Sequence, residues 1–224
     1  MSSVFLVCKG PSFLRSVPKD IKECDEIVIT NYPVMTPFFK EIIGNRNINY
    51  HYANCATPDH RYNVEICEKY NIYNILNTNS TSLNYKKILG NRHNNKFKIT
   101  ELYKTIVQEI KDKYSLDPST GLVAFYDLVK MKKYSKIIVS GLDNFEKNNK
   151  MYYYDIKNIN PCLKKLVGVH SQILPDGSIN FESGHDRVKT KELILDLIES
   201  NPDIDFKFIT NMDIKRVPSN LTIG

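Results

Sequence analysis

Two short segments of this 224-residue chain combine residue types suited to binding an anion and to taking up a proton. Ser119, Thr120 and Gly121 precede an apolar pattern with helical spacing. Small residues at the start of a helix leave backbone N–H groups that can face an anionic or ribosyl ligand. The second segment carries His185 just before another helical pattern. Together they predict an anion site at a helix end and a candidate base.

His185 is the candidate general base. Ser183 and Asp186 have the spacing of a capping box, so we expect His185 to lie in the first helical turn. The positive end of the helix dipole disfavours the imidazolium ion there and keeps a neutral base available. A histidine that serves only as a polar residue at the helix start is the alternative interpretation.

The helix after Ser119 leads directly into a strand, and the two form an αβ unit. The strand is predicted at residues 136–140, and Gly141 and Asp143 follow it. Ligands of open α/β sheets bind outside the carboxyl ends of the strands, so we expect Asp143 in a substrate-binding site. An ordinary αβ unit with a capped helix is the alternative.

Other strand ends carry residues able to hold a nucleotide. A predicted first strand ends just before Gly10 and Ser12, in a turn that resembles a nucleotide-binding βα turn but contains a single glycine. Two further predicted strands end near Asn31 and Asn54. The amide of asparagine pairs a donor with an acceptor and can bind a base or a ribose. Asparagine is also common in plain turns, which leaves coincidence open.

Composition narrows the class of protein. The 31 basic residues against 25 acidic ones give a mild net charge of +6 without an arginine-rich block, which favours an anionic small molecule over nucleic acid. The five cysteines are an odd number without CxxC spacing, so we expect reduced thiols and a cytoplasmic location. No apolar run reaches the length of a membrane span, and we expect a soluble protein.

The order of predicted elements indicates one domain that spans residues 1–224. Strands and helices alternate along most of the chain, which is typical of an α/β Rossmann-like fold with a mostly parallel sheet flanked by helices. A strand at residues 205–210 is expected to be the last. The polar stretch 77–97 is interpreted as a loop or a lid over the site. The tripeptide Pro175-Asp176-Gly177 predicts a hairpin.

Taken in order, these segments resemble the sialyltransferases. The turn Gly10-Pro11-Ser12 and the pair Gly184-His185 are most similar to the bacterial enzymes of glycosyltransferase family 42. The segment Pro118-Ser119-Thr120-Gly121 and the run Tyr152-Tyr153-Tyr154-Asp155 are closer to the small sialyl motif and the third motif of family 29. The similarity covers most of the chain and leaves out residues 77–97 and the C-terminal tail.

The resemblance implies a single Rossmann-like domain of the sialyltransferase type, a variant of the GT-A fold. It implies transfer of an acidic sugar, such as sialic acid, from a CMP-sugar to a glycan hydroxyl, with neither a metal nor another cofactor. Tyr152 would contact the phosphate, and His185 would be the general base. The CMP moiety would be held by Gly10, Ser12, Asn31, Ser119, Thr120 and Gly121.

Three positions depart from the family pattern. Cys8 and Lys9 stand where the bacterial enzymes have Gly-Asn, and Phe145 stands where a second phosphate-binding tyrosine is expected. These departures leave open a non-catalytic nucleotide-binding protein. The other alternative is a metal-dependent transferase that uses a nucleotide-diphosphosugar and holds its metal through Asp203 and Asp205. We interpret these two aspartates instead as part of a polar loop that enters the last strand. The sequence does not specify an oligomeric state.

Overall fold

The computed structural model describes residues 2–31, 36–53, 68–79, 98–144, 172–173, 179–180 and 185–224. Its strands are β1 (Ser2–Val7), β2 (Glu26–Thr30), β3 (Tyr50–Ala53), β4 (Asn74–Asn77), β5 (Lys98–Glu101), β6 (Tyr134–Ser140), β7 (Gln172–Ile173), β8 (Ile179–Asn180), β9 (Asp205–Ile209) and β10 (Leu221–Ile223). Its α-helices are α1 (Pro18–Lys22), α2 (Pro37–Ile43), α3 (Gln108–Tyr114), α4 (Thr120–Lys130) and α5 (Arg187–Glu199). A 3-10 turn at Pro11–Arg15 follows β1, and a π-helical turn at Tyr103–Val107 precedes α3.

Eight strands form one sheet in the order β10-β9-β6-β1-β2-β3-β4-β5, and every neighbouring pair is parallel. The two central strands are continuous apolar runs, as expected of strands that are covered on both faces. The centre of the β1–β6 pair consists of six fully buried side chains: Val4, Phe5, Leu6, Ile137, Ile138 and Val139. The predicted α/β fold with a mostly parallel sheet is confirmed.

Helices cover both faces of the sheet. On one face, α4 and α5 share a core with β9, where the Phe125 ring lies edge-on to Phe206 and Phe208 at centroid distances of 5.9 and 5.2 Å. On the other face, the Phe13 ring of the 3-10 turn lies 6.0 Å from the Phe39 ring of α2. None of the helices in the described ranges is long and apolar enough to cross a membrane.

The order in which strands are added to the sheet reverses at β1. From β1 the chain builds outward through β2, β3, β4 and β5, then returns to the other side of β1 as β6 and continues outward to β9 and β10. Where the strand order reverses, the connections diverge and leave a crevice outside the carboxyl ends of the two central strands. The carboxyl ends of β1 and β6 are therefore the place to look for a site.

Several details of the sheet differ from the sequence prediction. Asn77 is the last residue of β4 rather than the start of a polar loop, and residues 80–97 lie outside the described ranges. The expectation that the strand at 205–210 is the last is wrong, since β10 follows it. Both β5 and β10 are short edge strands with few apolar side chains, which gives them a weak sequence signal. The predicted hairpin is confirmed by the antiparallel pairing of β7 with β8.

A buried polar pair joins α4 to the sheet. The Tyr52 hydroxyl of β3 donates a 2.7 Å hydrogen bond to Asp127 Oδ2 of α4, and both side chains are buried. Burial raises the pKa of Asp127, and the hydrogen bond from Tyr52 opposes that rise. The pKa of Tyr52 is also raised well above its usual value, first by burial and then by the neighbouring carboxylate. The phenol therefore stays a donor and stabilises the charged form of Asp127.

We expect Tyr52→Phe to lower the free energy of unfolding by about 1–3 kcal/mol at neutral pH, because it leaves a buried carboxylate without its donor. Since the folded-state pKa of Asp127 is already raised, loss of the donor raises it further. Below that pKa the carboxyl group is protonated in the fold, so the loss of stability should shrink as the pH falls towards about 4. Urea unfolding at the two pH values measures the effect.

The matched control is Tyr103→Phe. The Tyr103 ring is half-buried and its hydroxyl has no hydrogen bond within the described part of the chain. This variant should change stability little at either pH. Equal losses in Tyr52→Phe and Tyr103→Phe would show that the hydrogen bond to Asp127 does not stabilise the fold.

Candidate functional site

Three connections converge at the carboxyl edge of the central strands, namely those after β1, β6 and β9. The Gly10 N–H donates to the Gly141 carbonyl at 2.7 Å, and the Gly141 N–H donates to the Ile209 carbonyl at 3.2 Å. Gly141 has a φ of 78°, in the left-handed region that glycine adopts without steric cost. The turn after β6 therefore depends on a glycine at this position.

Asp143 connects these turns through one buried carboxylate. Its Oδ2 accepts the Ser12 N–H at 2.9 Å, and its Oδ1 accepts the Asn211 N–H at 2.8 Å. The Thr210 hydroxyl lies 3.3 Å from Oδ1 and 2.8 Å from the Leu142 carbonyl oxygen, which is the closer acceptor. The Asp143 side chain is only 5% exposed. This geometry gives Asp143 a positioning role, and its contact with substrate stays a prediction.

The turn after β1 closes against the same carboxylate. A Cβ atom on Gly10 would lie 2.3 Å from Asp143 Oδ2 and 2.6 Å from the Gly141 carbonyl oxygen, so no side chain fits there. The buried Ser12 hydroxyl donates to the Ile209 carbonyl at 2.8 Å. Gly10 and Ser12 thus lie at the crevice, as the sequence predicts, and each also has a structural reason for its residue type. Substrate binding by either residue stays a prediction.

The start of α4 lies at this edge and is capped as expected. Ser119 is the N-cap, and its hydroxyl oxygen accepts the Leu122 N–H at 3.3 Å. The first N–H groups of a helix have no partner within the helix. Those of Thr120 and Gly121 donate to no acceptor among the residues that the structure describes. Two donors and the positive end of the helix dipole therefore remain at the carboxyl edge of the sheet.

A close approach fixes α4 against the crevice. A Cβ atom on Gly121 would lie 2.8 Å from Leu142 Cδ1 and 3.2 Å from Cys8 Sγ. Cys8 follows β1 and Leu142 follows β6, so the helix start lies against the ends of both central strands. Glycine at this position permits that contact because it has no side chain.

His185 lies beside the segment that leads into α4. Its Nδ1 is 2.8 Å from the carbonyl oxygen of Asp117, which is 68 positions away in the chain. A carbonyl oxygen only accepts, so Nδ1 carries the proton of this hydrogen bond, and the lone pair of the neutral ring is on Nε2. The fold therefore brings the candidate base next to the Ser119 cap.

The prediction that His185 lies in the first turn of a helix is wrong. The N-cap of α5 is Asp186, whose Oδ1 accepts the Lys189 N–H at 3.0 Å, so His185 precedes the cap. Aspartate caps a helix as well as serine does, and a segment with both Ser183 and Asp186 offers two starts. The hydrogen bond with the Asp117 carbonyl, rather than a place in the first turn of α5, therefore positions the His185 ring.

Asn31 closes β2 with a φ of 52°. Its N–H donates to a carbonyl of β3, and its own carbonyl oxygen contacts His51 Nε2, also on β3. It lies at the carboxyl edge, as the sequence predicts. Asn54, Tyr152 and Phe145 lie outside the described residues. The roles of Asn31, Asn54 and Tyr152 therefore stay predictions.

Burial controls the charge of two side chains at the end of β1. It raises the pKa of the Cys8 thiol to about 12, whereas a hydrogen bond with Thr30 lowers that pKa by a smaller amount. The thiol therefore stays protonated and is a poor nucleophile. Burial also lowers the pKa of Lys9 to about 7, although part of the lysine side chain stays exposed. The sequence marks both residues only as departures from a family pattern.

Asp203 and Asp205 lie at the amino ends of the strands, on the side of the sheet away from the crevice. Asp205 is the first residue of β9 and Asp203 precedes it, whereas the crevice lies at the carboxyl ends of the strands. Both side chains are exposed. In the described part of the chain, no group of three or more His, Cys, Asp or Glu side chains is arranged to hold a metal ion. The interpretation of this segment as a loop entering a strand is confirmed.

Asn211 and Arg15 also lie at the carboxyl edge of the sheet, and neither is among the site residues predicted from the sequence. The side-chain amide of Asn211 lies 3.4 Å from Asp143 Oδ2, next to its backbone hydrogen bond. The Arg15 guanidinium donates to the Thr210 carbonyl. Asn211 follows a strand end as Asn31 does, so the same rule applied to β9 identifies it. Arg15 carries no such signal, because its contact depends on how the 3-10 turn packs against β9.

We expect Gly10→Ala to lower the free energy of unfolding by about 1–3 kcal/mol, the usual cost of overpacking. The new Cβ would lie 2.3 Å from Asp143 Oδ2, so the carboxylate or the turn has to move. Gly224→Ala is the matched control, since the nearest atom to its Cβ would be 3.4 Å away, an ordinary contact. Thermal unfolding compares the two, and equal stability would show that the Gly10 turn is not closed against Asp143.

The fold of this chain is similar to that of a solved structure. No family model matches the sequence, and no curated protein matches it. Among solved structures, the chain is similar to the sialyltransferase CstII from Campylobacter jejuni in complex with a substrate analogue, cytidine 5′-monophosphate (CMP). The identity is 13%, the TM-score is 0.55, and the similarity covers 94% of this chain and 80% of that chain. The eight-stranded parallel sheet and its flanking helices therefore have a sialyltransferase-like fold, as the sequence motifs predict.

Proposed function

We propose that the protein is a metal-independent glycosyltransferase that moves an acidic sugar, sialic acid or a related acid, from a CMP-sugar to a glycan hydroxyl. The observation that carries the proposal is the hydrogen bond between His185 and the Asp117 carbonyl, which brings a histidine next to the capped start of α4. The similar solved structure is a sialyltransferase in complex with CMP, which supports the same class of donor here.

We assign the nucleotide to the crevice between β1 and β6. The turn with Gly10 and Ser12 borders it on the β1 side, and the start of α4 borders it on the other. The N–H groups of Thr120 and Gly121 suit a phosphate, because a helix start combines donors with a positive dipole end. We assign contacts with the base or the ribose to Asn31, which follows β2 next to β1, and to Asn54.

His185 acts as the general base in this proposal. The Asp117 carbonyl holds the Nδ1 proton, so Nε2 takes the proton of the acceptor hydroxyl. The acceptor oxygen then bonds to the anomeric carbon while the bond from that carbon to the phosphate oxygen breaks. CMP leaves with the electron pair. Donors already in place at the start of α4, together with the Tyr152 phenol, stabilise the charge on the leaving phosphate.

The two alternatives make different demands on the chain. A metal-dependent nucleotide-diphosphosugar transferase needs acidic ligands at the crevice, and Asp203 and Asp205 lie at the far edge of the sheet. A non-catalytic nucleotide-binding protein needs the crevice but has no use for a positioned base. The contact of His185 with Asp117 therefore favours an enzyme.

We expect CMP and CTP to stabilise the fold, whereas UDP and GDP do not. The physical reason is that a ligand bound only by the native state shifts the folding equilibrium, by about 2.7 kcal/mol at 100 times its dissociation constant. Thermal shift measurements with the four nucleotides at equal concentration provide the readout. Equal shifts with all four would remove the cytidine assignment.

We expect His185→Ala to lower the transfer rate by about a hundred- to ten-thousand-fold, the usual contribution of general acid–base catalysis. CMP binding should stay nearly unchanged, because the imidazole acts on the acceptor. The assay follows transfer from a CMP-sugar to a glycan acceptor in the presence of EDTA. Activity that returns only with added Mg²⁺ or Mn²⁺ would support the metal-dependent alternative.

Asp186→Ala is the matched control for this variant. Asp186 adjoins His185 and caps α5, so its loss should cost about 1 kcal/mol of stability and leave the rate per folded molecule unchanged. If His185→Ala gives the same result as Asp186→Ala, the histidine has only a structural role and is not the base.

A further inference from the structure

Asn144 is a buried polar residue that joins the turn after β6 to the start of α5. Its side-chain Nδ2 donates a 2.7 Å hydrogen bond to the carbonyl oxygen of Arg187, the first residue of that helix. Asn144 is only 6% exposed, and the two residues are 43 positions apart in the chain. A buried amide that bridges two separate elements holds them in one arrangement, because breaking the contact leaves buried polar groups without partners.

The backbone at Asn144 limits which residue types can make this contact. Its φ is 50°, in the left-handed region that glycine, asparagine and aspartate enter more readily than other residues. Glycine would accept that φ but has no amide to donate. Aspartate would also accept it, but an ionised carboxylate has no proton to share with a carbonyl oxygen. Asparagine therefore meets both demands, a left-handed turn and a donor to α5.

The turn that carries Asn144 is anchored at the carboxyl edge of the sheet. The preceding residue, Asp143, accepts the backbone N–H groups of Ser12 and Asn211 through its two carboxylate oxygens. The turns after β1, β6 and β9 are therefore joined immediately before Asn144. The contact with α5 starts from a fixed point beside the crevice.

His185 lies two residues before Arg187, whose carbonyl accepts the Asn144 amide. Two residues of chain span at most about 7 Å, so a contact that fixes the Arg187 carbonyl also limits where the His185 backbone can lie. The imidazole has a contact of its own, from Nδ1 to the Asp117 carbonyl at 2.8 Å. That hydrogen bond orients the ring from the segment before α4. The Asn144 contact fixes the histidine from a second direction, that of the turn after β6.

We propose that Asn144 is a positioning residue for the general base, and that it sets the distance of His185 Nε2 from the crevice. This inference rests on the proposed function. Asn144 acts through the start of α5 rather than on the substrate itself. A general base has to lie within about 2.6–3.2 Å of the group whose proton it takes. A displacement of about 1 Å can therefore lower the rate on the order of a hundred-fold.

Asn144→Gly tests the inference, because it removes the amide donor while glycine still accepts the positive φ. We expect kcat for transfer from a CMP-sugar to a glycan acceptor to fall by roughly ten- to a hundred-fold, since the base is then less well placed. The KM for the CMP-sugar and the affinity for CMP should stay nearly unchanged. A role in stability alone would instead reduce the amount of folded protein and leave kcat per folded molecule as it was.

Asn71→Gly is the matched control. Asn71 has a φ of 51°, and its Nδ2 donates to Asn47 Oδ1 at 2.6 Å. It precedes β4, so it lies at the amino ends of the strands, away from the crevice. The same substitution there removes a side-chain donor from the same backbone conformation, and kcat should stay unchanged.

A double-mutant cycle shows whether Asn144 acts through the histidine. If it does, Asn144→Gly should lower the rate of the wild type and have no further effect in His185→Ala, which lacks the base. Equal losses in both backgrounds overturn the inference while the proposed function stands. If His185→Ala alone leaves the rate per folded molecule unchanged, the proposed base fails and this inference fails with it.

Asn144→Asp provides a second variant if the glycine variant does not fold. Aspartate keeps the size of the side chain and tolerates the same φ, but its ionised carboxylate does not donate to the Arg187 carbonyl. We expect it to lower kcat while the KM for the CMP-sugar stays nearly unchanged. A wild-type kcat in either folded Asn144 variant overturns the inference.

Discussion

The buried carboxylate of Asp143 holds the edge of the site together. A carboxylate that is only 5% exposed is stable when donors satisfy its oxygens, and here the turns after β1 and β9 supply the backbone N–H groups. The residue types around it follow from this contact. Gly10 leaves no Cβ to collide with Oδ2, and Gly141 allows the left-handed turn that precedes Asp143. Hydrogen bonds therefore fix the turns after β1, β6 and β9 to one another at the carboxyl ends of the central strands.

Local signals in the sequence predict the αβ unit formed by α4 and β6, whose ends border the crevice. The helix α4, its Ser119 cap and the strand β6 lie within one continuous segment, and apolar spacing with a capping residue is enough to identify them. The short edge strands β5 and β10 escape prediction because they bury little apolar surface of their own. Their pairing depends on the neighbouring strands, which a local pattern does not contain.

The rule that ligands bind at strand ends predicts that Gly10, Ser12, Asn31 and Asp143 share the carboxyl edge of the sheet, as they do, yet it does not say where their polar atoms point. Asp143 meets Ser12 across 131 positions of sequence and Asn211 across 68, so its partners are set by the topology of the sheet. The same holds for the Asp117 carbonyl that orients His185. The sequence alone instead predicts His185 in the first turn of a helix, because Ser183 and Asp186 have the spacing of a capping box, whereas Asp186 itself caps α5.

A transferase that works without a metal has to offset the charge of a leaving phosphate with groups of the protein. At this edge the negative charge of Asp143 is used internally, and the thiol of Cys8 is neutral. The start of α4 contributes a partial positive charge of about half an elementary charge. Under the proposed function, the N–H groups of Thr120 and Gly121 supply donors to the leaving phosphate.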